Sequence, residues 1–600
     1  MALGRYKHIV LTNFAGGLNT RFSSNLIADN ESPDLQNVVF NDKGAIQPRQ
    51  GIAQFGSALS SIISACSGSV HSALKFSRSD GVEIPMVWNQ DKWFYYNNYT
   101  SDWALLNDGY TPGAKFGGDS YASGNIDEYI YVGNAVQPMY RWNGRYGMML
   151  SGLSPTSTVA YLNTLSSLSS WGWATSGSAI IGTEAFTYAS CVGNSLSCIT
   201  RSSAATAHLI GDAIAQFPLS SGFTNVPRGN IYKMHQNRLH IAGVSGSLQS
   251  DYYSKLQNPL NFSFSSPISA ADGGIAYFPE GGGPIRGFAV NQETLVVFKK
   301  NNIKGLSFTS DDLPALNVIV DGMNVGANND NIDMVENGIF YINPIGEVKQ
   351  LSRPTTQNPM EVASMSEMIR PTLQQLAIDN SVGKYYDYKF HAAMATSGST
   401  FNNTMLLYDY SYKAWSKFIG LNAAQFFTYG TDFYYGAANE PRVYQTYVNY
   451  DDNGYGYESY WTSKNIDYGY PHELKRLRHI YVEGYMTENC PLSASLYFNG
   501  DTTNGQEKVL NGNASYIQTA STESLIGKAT FGKGTYGGTA NGTNFKLSKF
   551  QIRLSYSNVD FFTMQFKVRS NTPGAAWKIT HIAPYIEPLP SKKFPEAWVL

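Results

Sequence analysis

TLVVFKKNNIKGLSF (residues 294–308) joins two short apolar strands through a turn of Lys and Asn, the sequence form of a β-hairpin. The pattern recurs as KWFYYNNYTSDWALL (92–106), EYIYVGNAVQPMYRW (128–142), RLHIAGVSGSLQSDYYS (238–254), GIFYINPIGEVKQL (338–351), MLLYDYSYKAWSKF (405–418) and DFYYGAANEPRVYQTY (432–447). An isolated hairpin is marginal in water, so these must share cores with their neighbours. Their starts lie about 36, 110, 56, 44, 67 and 27 residues apart, a broken rhythm around the ~40–50 residues of one propeller blade. The gap of about 110 fits one blade plus an insertion, whereas the gap of about 27 is too short for four strands. The last two hairpins are therefore expected to share a blade, or to belong to a blade closed across the ring. The fold class expected is all-β: a β-propeller of five to seven blades with an inserted Ser/Ala-rich subdomain and a C-terminal β-sandwich. A generic array of sandwich hairpins is the alternative, because no strict signature repeats.

A chain of 600 residues is too long for one hydrophobic core. Charged residues make up only 15%, whereas Tyr (41), Phe (31) and Gly (56) abound, a mixture that favours pleated strands and tight turns over helices. The net charge of −2 gives no overall attraction to nucleic acid or to an acidic membrane surface. MALGRYKHIVLTNFAGGL lacks the apolar run and cleavage site of a signal peptide, and no stretch nears the ~18 apolar residues of a membrane span. Cys66, Cys191, Cys198 and Cys490 have neither zinc-ligand spacing nor disulfide-scaffold density. Free thiols are expected, with Cys191–Cys198 the pair available to an oxidising medium.

The chain divides into an N-terminal docking segment (1–60), a first propeller part (61–150), an insertion (151–227), a second propeller part (228–465), a β-sandwich (466–589) and a C-terminal arm (590–600). In the first segment Gly16-Gly17 marks a turn, Asp29 or Ser32 is placed to cap a short helical turn with Pro33, and the strand NVVF (37–40) turns at 41–44. Trp88, Trp93, Trp103 and Trp142 read as core packing, or, if exposed in a row, as a glycan-holding surface. Residues 151–227 are nearly free of charge and carry no hairpin signature, as suits a projecting subdomain that forms a tip or subunit contact. Within it, AATAHLIGDAIAQF (204–217) has helical spacing. A second helical stripe, Val362, Met365, Ile369, Leu373 and Leu376, is interrupted at Pro371, and Met360, Met365 and Met368 lie on or beside it as core or as an adaptable surface.

Residues 1–55 hold the most specific local pattern, NFAGGLNTRFSSNLIADNESPDLQNVVFNDKGAIQPRQG. It resembles the amino-terminal segment of tail hub or nozzle proteins (tail tubular protein B-like) of short-tailed bacteriophages. In that family a Gly-Gly-Leu-Asn opening leads through D-x-E-x-x-D-L-x-N to G-x-I-x-x-R-x-G. The matching residues are Gly17, Leu18, Asn19, Asp29, Glu31, Asp34, Leu35, Asn37, Gly44, Ile46, Arg49 and Gly51. NRLHIAGVSGSLQSDYYSKLQNPLNFSF (237–264), TLVVFKKNNIKGL and LLYDYSYKAWSKF are also similar to that family, so the resemblance spans about residues 10–55 and 228–450.

Chemical motifs are sparse. There is no G-x-S-x-G elbow, zinc helix or phosphate-loop motif, and the nine His residues are scattered. Gly281-Gly282-Gly283-Pro284 lacks the Lys and helix of a phosphate cradle, and Asp451-Asp452-Asn453-Gly454 lacks the later Glu of a calcium loop, so both read as turns. Asp311, Asp312, Asp330, Asp333 and Glu336 supply carboxylates that a propeller glycosidase would pair across a scissile bond, but the sialidase-type repeat is missing. No catalytic residue, cofactor or metal ligand is assigned. His472, Lys475, Arg476, Arg478 and His479 form the one dense basic cluster, read either as a solvated strand entrance or as a contact with DNA or an acidic partner through Lys475, Arg476 and Arg478.

The resemblance implies a non-enzymatic virion part made in the host cytoplasm. Several copies, six by family symmetry, would form a ring that continues the DNA channel below the portal and adaptor and anchors tail fibres or spikes. Genomic DNA would pass without sequence-specific binding. A receptor- or glycan-binding module is the alternative, and a glycan-degrading enzyme the third reading.

Overall fold

Strands dominate the computed structural model, which describes residues 7–589 except 42, 124–126, 165, 166, 169, 170, 266–268, 270, 280, 310–312, 330, 354–359, 488, 489, 512–547, 557 and 558. The Asp311, Asp312 and Asp330 carboxylates and the 590–600 arm lie outside the described residues. Seven small antiparallel sheets stand around a common axis. Their first strands are Val70–Ser77, Gly117–Ser123, Ile231–His235, Ile285–Asn291, Ile332–Val335, Leu376–Tyr386 and Ala423–Tyr429; each packs against the next, and the last packs against the first. That closure makes a seven-bladed propeller. Strands deeper in the blades, such as Arg238–Ala242, Gly338–Ile342 and Thr404–Asp409, are buried along their whole length, so apolar residues occupy both of their faces and the polar ones among them, Arg238, His240, Thr404 and Asp409, are buried too.

Each of the seven hairpins falls in a different blade. The last two were expected to share one, and the difference is a matter of phase. In blade 6 the hairpin is the third and fourth strands (Thr404–Asp409, Ala414–Ile419), whereas in blade 7 it is the second and third (Asp432–Ala437, Val443–Thr446), so the spacing shrinks by one strand. Blade 7 is indeed closed across the ring: its fourth strand is Ile52–Gln54, which pairs with Val443–Thr446.

Blade 2 holds three strands, Gly117–Ser123, Asp127–Gly133 and Tyr140–Trp142. The chain then leaves for a seven-stranded sheet that spans Tyr146–Met149 to Ala213–Gln216. It returns at Leu219, whose backbone exchanges two hydrogen bonds with Arg141 (2.8 and 2.9 Å) in the place of a fourth strand. The helix expected at 204–217 is absent. Ala213–Gln216 is instead a strand held between Tyr146–Met149 and Gly177–Ile181, because ladder bonds on both edges outweigh a local helical spacing. The stripe at 362–376 likewise breaks up into the strand Val362–Ser364, the helical turns Glu367–Ile369 and Arg370–Leu373, and the first strand of blade 6.

The C-terminal β-sandwich has one sheet built on Lys475–Met486 and Trp577–Pro588 and another on Ser459–Thr462, Pro491–Phe498 and Met564–Ser570. Strands from residues 7–48 join this body, before Ile52–Gln54 enters blade 7. Lys7–His8, Val38–Phe40 and Ile46–Pro48 extend the first sheet, and Leu35–Gln36 extends the second. Ser32 caps no helix; its hydroxyl donates to the Asp34 and Thr462 carbonyls. The sandwich core, with Trp461, Val482, Phe566 and Trp577, runs without a break into Phe340, Phe390 and Trp415 of blades 5 and 6. No described helix is long and apolar enough to cross a membrane.

Candidate functional site

The twelve residues of the N-terminal pattern converge on the joint between propeller and sandwich. Gly17 has φ 77°, and a Cβ there would lie 2.7 Å from the Trp415 nitrogen, so only glycine lets this strand rest on blade 6. Leu18, Leu35 and Ile46 are fully buried in the shared core. The Glu31 carboxylate accepts from Asn19 Nδ2 (2.9 Å) and from the Ala28 N–H (2.8 Å), which fixes the turn between them. Asp29 pairs with Lys464 of the sandwich at 2.6 Å. Asp34 spans the joint: Lys417 Nζ of blade 6 donates to one oxygen (3.0 Å) and the Tyr460 hydroxyl of the sandwich to the other (2.9 Å).

Asn37 and Arg49 form the centre. Asn37 has φ 54°; its Oδ1 accepts from the Ile419 N–H and from Arg49 Nε, each at 3.0 Å, and its Nδ2 donates to the Glu458 carbonyl at 2.7 Å. The buried Arg49 guanidinium grips Asp452 with both nitrogens (2.9 and 2.6 Å) and lies 4.0 Å over the Tyr457 ring. A planar fork on a carboxylate, stacked on an aromatic face, uses the geometry that distinguishes Arg from Lys. Beside it Gly51 runs so close to residue 451 that a Cβ would meet the Asp451 carbonyl oxygen at 1.8 Å. Gly44, φ 73°, completes the turn that returns the strand. The sequence reading found these residues as a docking pattern but not their partners, since Arg49 and Asp452 lie 403 positions apart.

The basic cluster is dispersed. Lys475 is buried and donates to the carbonyls of Tyr470, Glu473 and Phe562 (2.5–2.9 Å); Arg476 pairs with Asp560, and Arg478 with Glu587. As the chain is folded, the Lys475 ammonium does not face solvent, and the two arginines are each neutralised by a carboxylate. Asp333 pairs with Lys384 and accepts the Tyr385 N–H (2.8 Å), while Glu336 accepts the Tyr385 hydroxyl, so these two carboxylates tie blade 5 to blade 6. Asp119 makes the same inter-blade contact, with Lys233 and the Met234 N–H. Trp88, Trp93, Trp103 and Trp142 are all buried, the first two stacked at 5.1 Å. Met365 packs against the shared core, whereas Met368 is exposed. The four cysteines are free, and Cys198 alone is exposed.

Two further features escaped the sequence reading. A cavity of about 470 Å³ opens beside the clasp, with Tyr435, Tyr444, Tyr455, Glu440, Arg442 and Asn439 among its walls. In the insertion, Glu184 gathers Arg201 (2.6 and 2.7 Å), the Thr206 N–H (3.0 Å) and His208 (3.1 Å). The Arg201 hydrogen bonds push the Glu184 carboxyl down to about 2.

No family model and no curated protein matches the chain. Among solved structures it is similar to YCF48 from Cyanidioschyzon merolae at 10% identity, covering 66% of this chain and 98% of that one with a TM-score of 0.33. It is similar to the N-terminal domain of Nup159 at 10% identity (46% and 68% covered, TM-score 0.24) and to an exo-β-1,3-galactanase from Phanerochaete chrysosporium solved with galactose at 9% identity (61% and 99% covered, TM-score 0.21).

Proposed function

We propose that this chain is a structural subunit of a short-tailed bacteriophage tail, one copy of a ring that continues the DNA channel below the portal and adaptor. The observation that carries the reading is the clasp. The residues that resemble the nozzle family's N-terminal pattern are the ones that bond blade 6, blade 7 and the sandwich into one body. A channel wall under load needs that rigidity, because a hinge between two domains would let subunits shear. The chain would be made in the host cytoplasm and reside in the virion. Its work is mechanical, and the ring, sixfold by the resemblance, offers attachment for adaptor proteins and for fibres or spikes. Passing DNA meets the wall without base-specific contacts.

The test is compositional. Intact particles separated on a density gradient are expected to contain this chain at a fixed ratio near half the portal count. Its absence from particles overturns the reading. The second reading, a glycan-binding module, is supported by the tyrosine-lined cavity beside Arg442 and Glu440, since aromatic faces and paired polar groups suit a sugar. Oligosaccharide binding by a chain absent from particles would favour it.

A further inference from the structure

A second cavity, of about 280 Å³, opens where the first strands of blades 6, 7 and 1 converge with the lead into blade 2. It lies at the axis of the propeller, on the face made by the turns that enter the first strands and those that join second strands to third. Its polar walls are His71 on Val70–Ser77, Lys115 just before Gly117–Ser123, Asn380 on Leu376–Tyr386, and Thr400 and Asn402 in the turn before Thr404–Asp409.

These walls hold a cation and no counter-charge. Among the described residues that line the cavity there is no Asp or Glu. Lys115 is half-buried, and no described group pairs with its ammonium. His71 does not share the charge: Ser72 Oγ and the Gln90 carbonyl hold its ring at 3.2 Å each, and burial, with the Lys115 charge added, lowers the imidazole's pKa. The Thr400 hydroxyl and the Asn380 amide also have no partner among the described residues. A cation drawn part-way out of water is costly unless an anion accompanies it.

Asn402 adds an acceptor. It is 2% exposed. Its Nδ2 donates to the Asn380 and Ala423 carbonyls at 2.8 Å each, so the amide cannot turn over without losing both bonds. Its Oδ1 is left buried without a described partner, which calls for a donor. A carboxylate supplies none, whereas a hydroxyl on the same molecule does.

We propose that this axial cavity binds a small hydroxylated carboxylate, of the chemistry of a single sugar acid, with its carboxylate on Lys115 and a hydroxyl on the Asn402 side. One ammonium among neutral donors matches a monoanion, and a phosphate dianion would be left short of a second cation. A volume near the lower end of small-molecule sites, about 300 Å³, suits one such molecule. The site would serve a tail subunit and a glycan-binding module alike, so the result below leaves the choice between them untouched.

The experiment titrates the full chain by calorimetry with D-glucuronate, with D-glucose, which has the same ring without the charge, and with inorganic phosphate. The parent should bind glucuronate at least about tenfold more tightly than either of the others. Lys115→Met removes the ammonium and keeps most of the stem; it should weaken glucuronate binding about tenfold to a hundredfold, the worth of a hydrogen bond to a charged group. Lys115→Arg keeps a cation and should retain most of the binding, and Thr400→Val should lose a smaller part of it. Thermal melting should match the parent for all three, since neither side chain bonds another described residue. A parent that binds no glucuronate at millimolar concentration would overturn the proposal. So would glucose or phosphate bound as tightly as glucuronate, or parent-like binding by a folded Lys115→Met chain.

Discussion

The clasp and the insertion are both additions to the same propeller, and they treat their polar groups in opposite ways. In the clasp Asn37 and Asp34 bond both to blade 6 and to the sandwich or the stretch before it, and Arg49 reaches Asp452, so these residues tie distant parts of the fold together. In the insertion Glu184, Arg201, His208 and Asp212 bond only to one another and to their own loops, which leaves the apolar residues outermost. The lesson is that bonding outward fixes geometry, whereas bonding inward frees a surface for others. The first property suits the wall of the proposed ring.

The sharpest way to break the contrast is Arg49→Ala. It leaves Asp452, a mostly buried carboxylate at the wall of the cavity, without its cation, and the loss of one partner from a buried pair costs up to about 3–5 kcal/mol. The denaturation midpoint should fall accordingly, and Arg49→Lys should recover only a fraction because a single ammonium cannot span both oxygens. A parent-like midpoint for Arg49→Ala would mean that the clasp does not secure the joint.

Acid is expected to act on the insertion with a smaller, local effect. Glu184 is depressed from 4.5 to about 2 by its Arg201 hydrogen bonds. A depressed folded value contributes stability that is fully present above about 4.5 and is lost as the pH falls toward about 2. Hydrogen exchange in the strands Gly177–Ile181 and Glu184–Tyr188 should therefore accelerate across that window. Glu184→Gln should show faster exchange already at neutral pH and little further change on acidification.

The smallest effect is expected from excising residues 150–211 and joining Met149 to Asp212 through a two-residue turn. Tyr146–Met149 and Ala213–Gln216 pair directly, and Leu219 keeps its bonds to Arg141, so blade 2 retains its closure. Hydrogen exchange should rise only in blade 1, whose apolar core is continuous with that of the insertion, while the other blades stay protected. Collapse of the whole fold would show that the insertion supports the ring of blades rather than projecting from it.

Some of this was legible beforehand. Met405–Phe418 and Thr294–Phe308 announce their hairpins because turn residues separate apolar runs, and that signal is local. Residues 204–217 misled because Leu209, Ile210, Ala213 and Ile214 satisfy a helical spacing, yet Gly211 has φ 93° and the strand that follows finds ladder partners on both sides. The basic cluster at 472–479 gave no hint that Lys475 would turn inward to three carbonyls, since charge is visible in a sequence and its neutralisation is not.

By itself the sequence determined the all-β class and one hairpin of every blade, because alternation, turn chemistry and sparse charge act between near neighbours, but it left the blade count at five to seven and missed the hairpins of the insertion. Only the tertiary structure decided which strands of a blade each hairpin supplies, that Ile52–Gln54 closes the seventh blade, and that Arg49 meets Asp452. Those pairings join distant parts of the chain, and whether they form depends on what the ring and the sandwich bring together when they bury their cores, which no local pattern encodes.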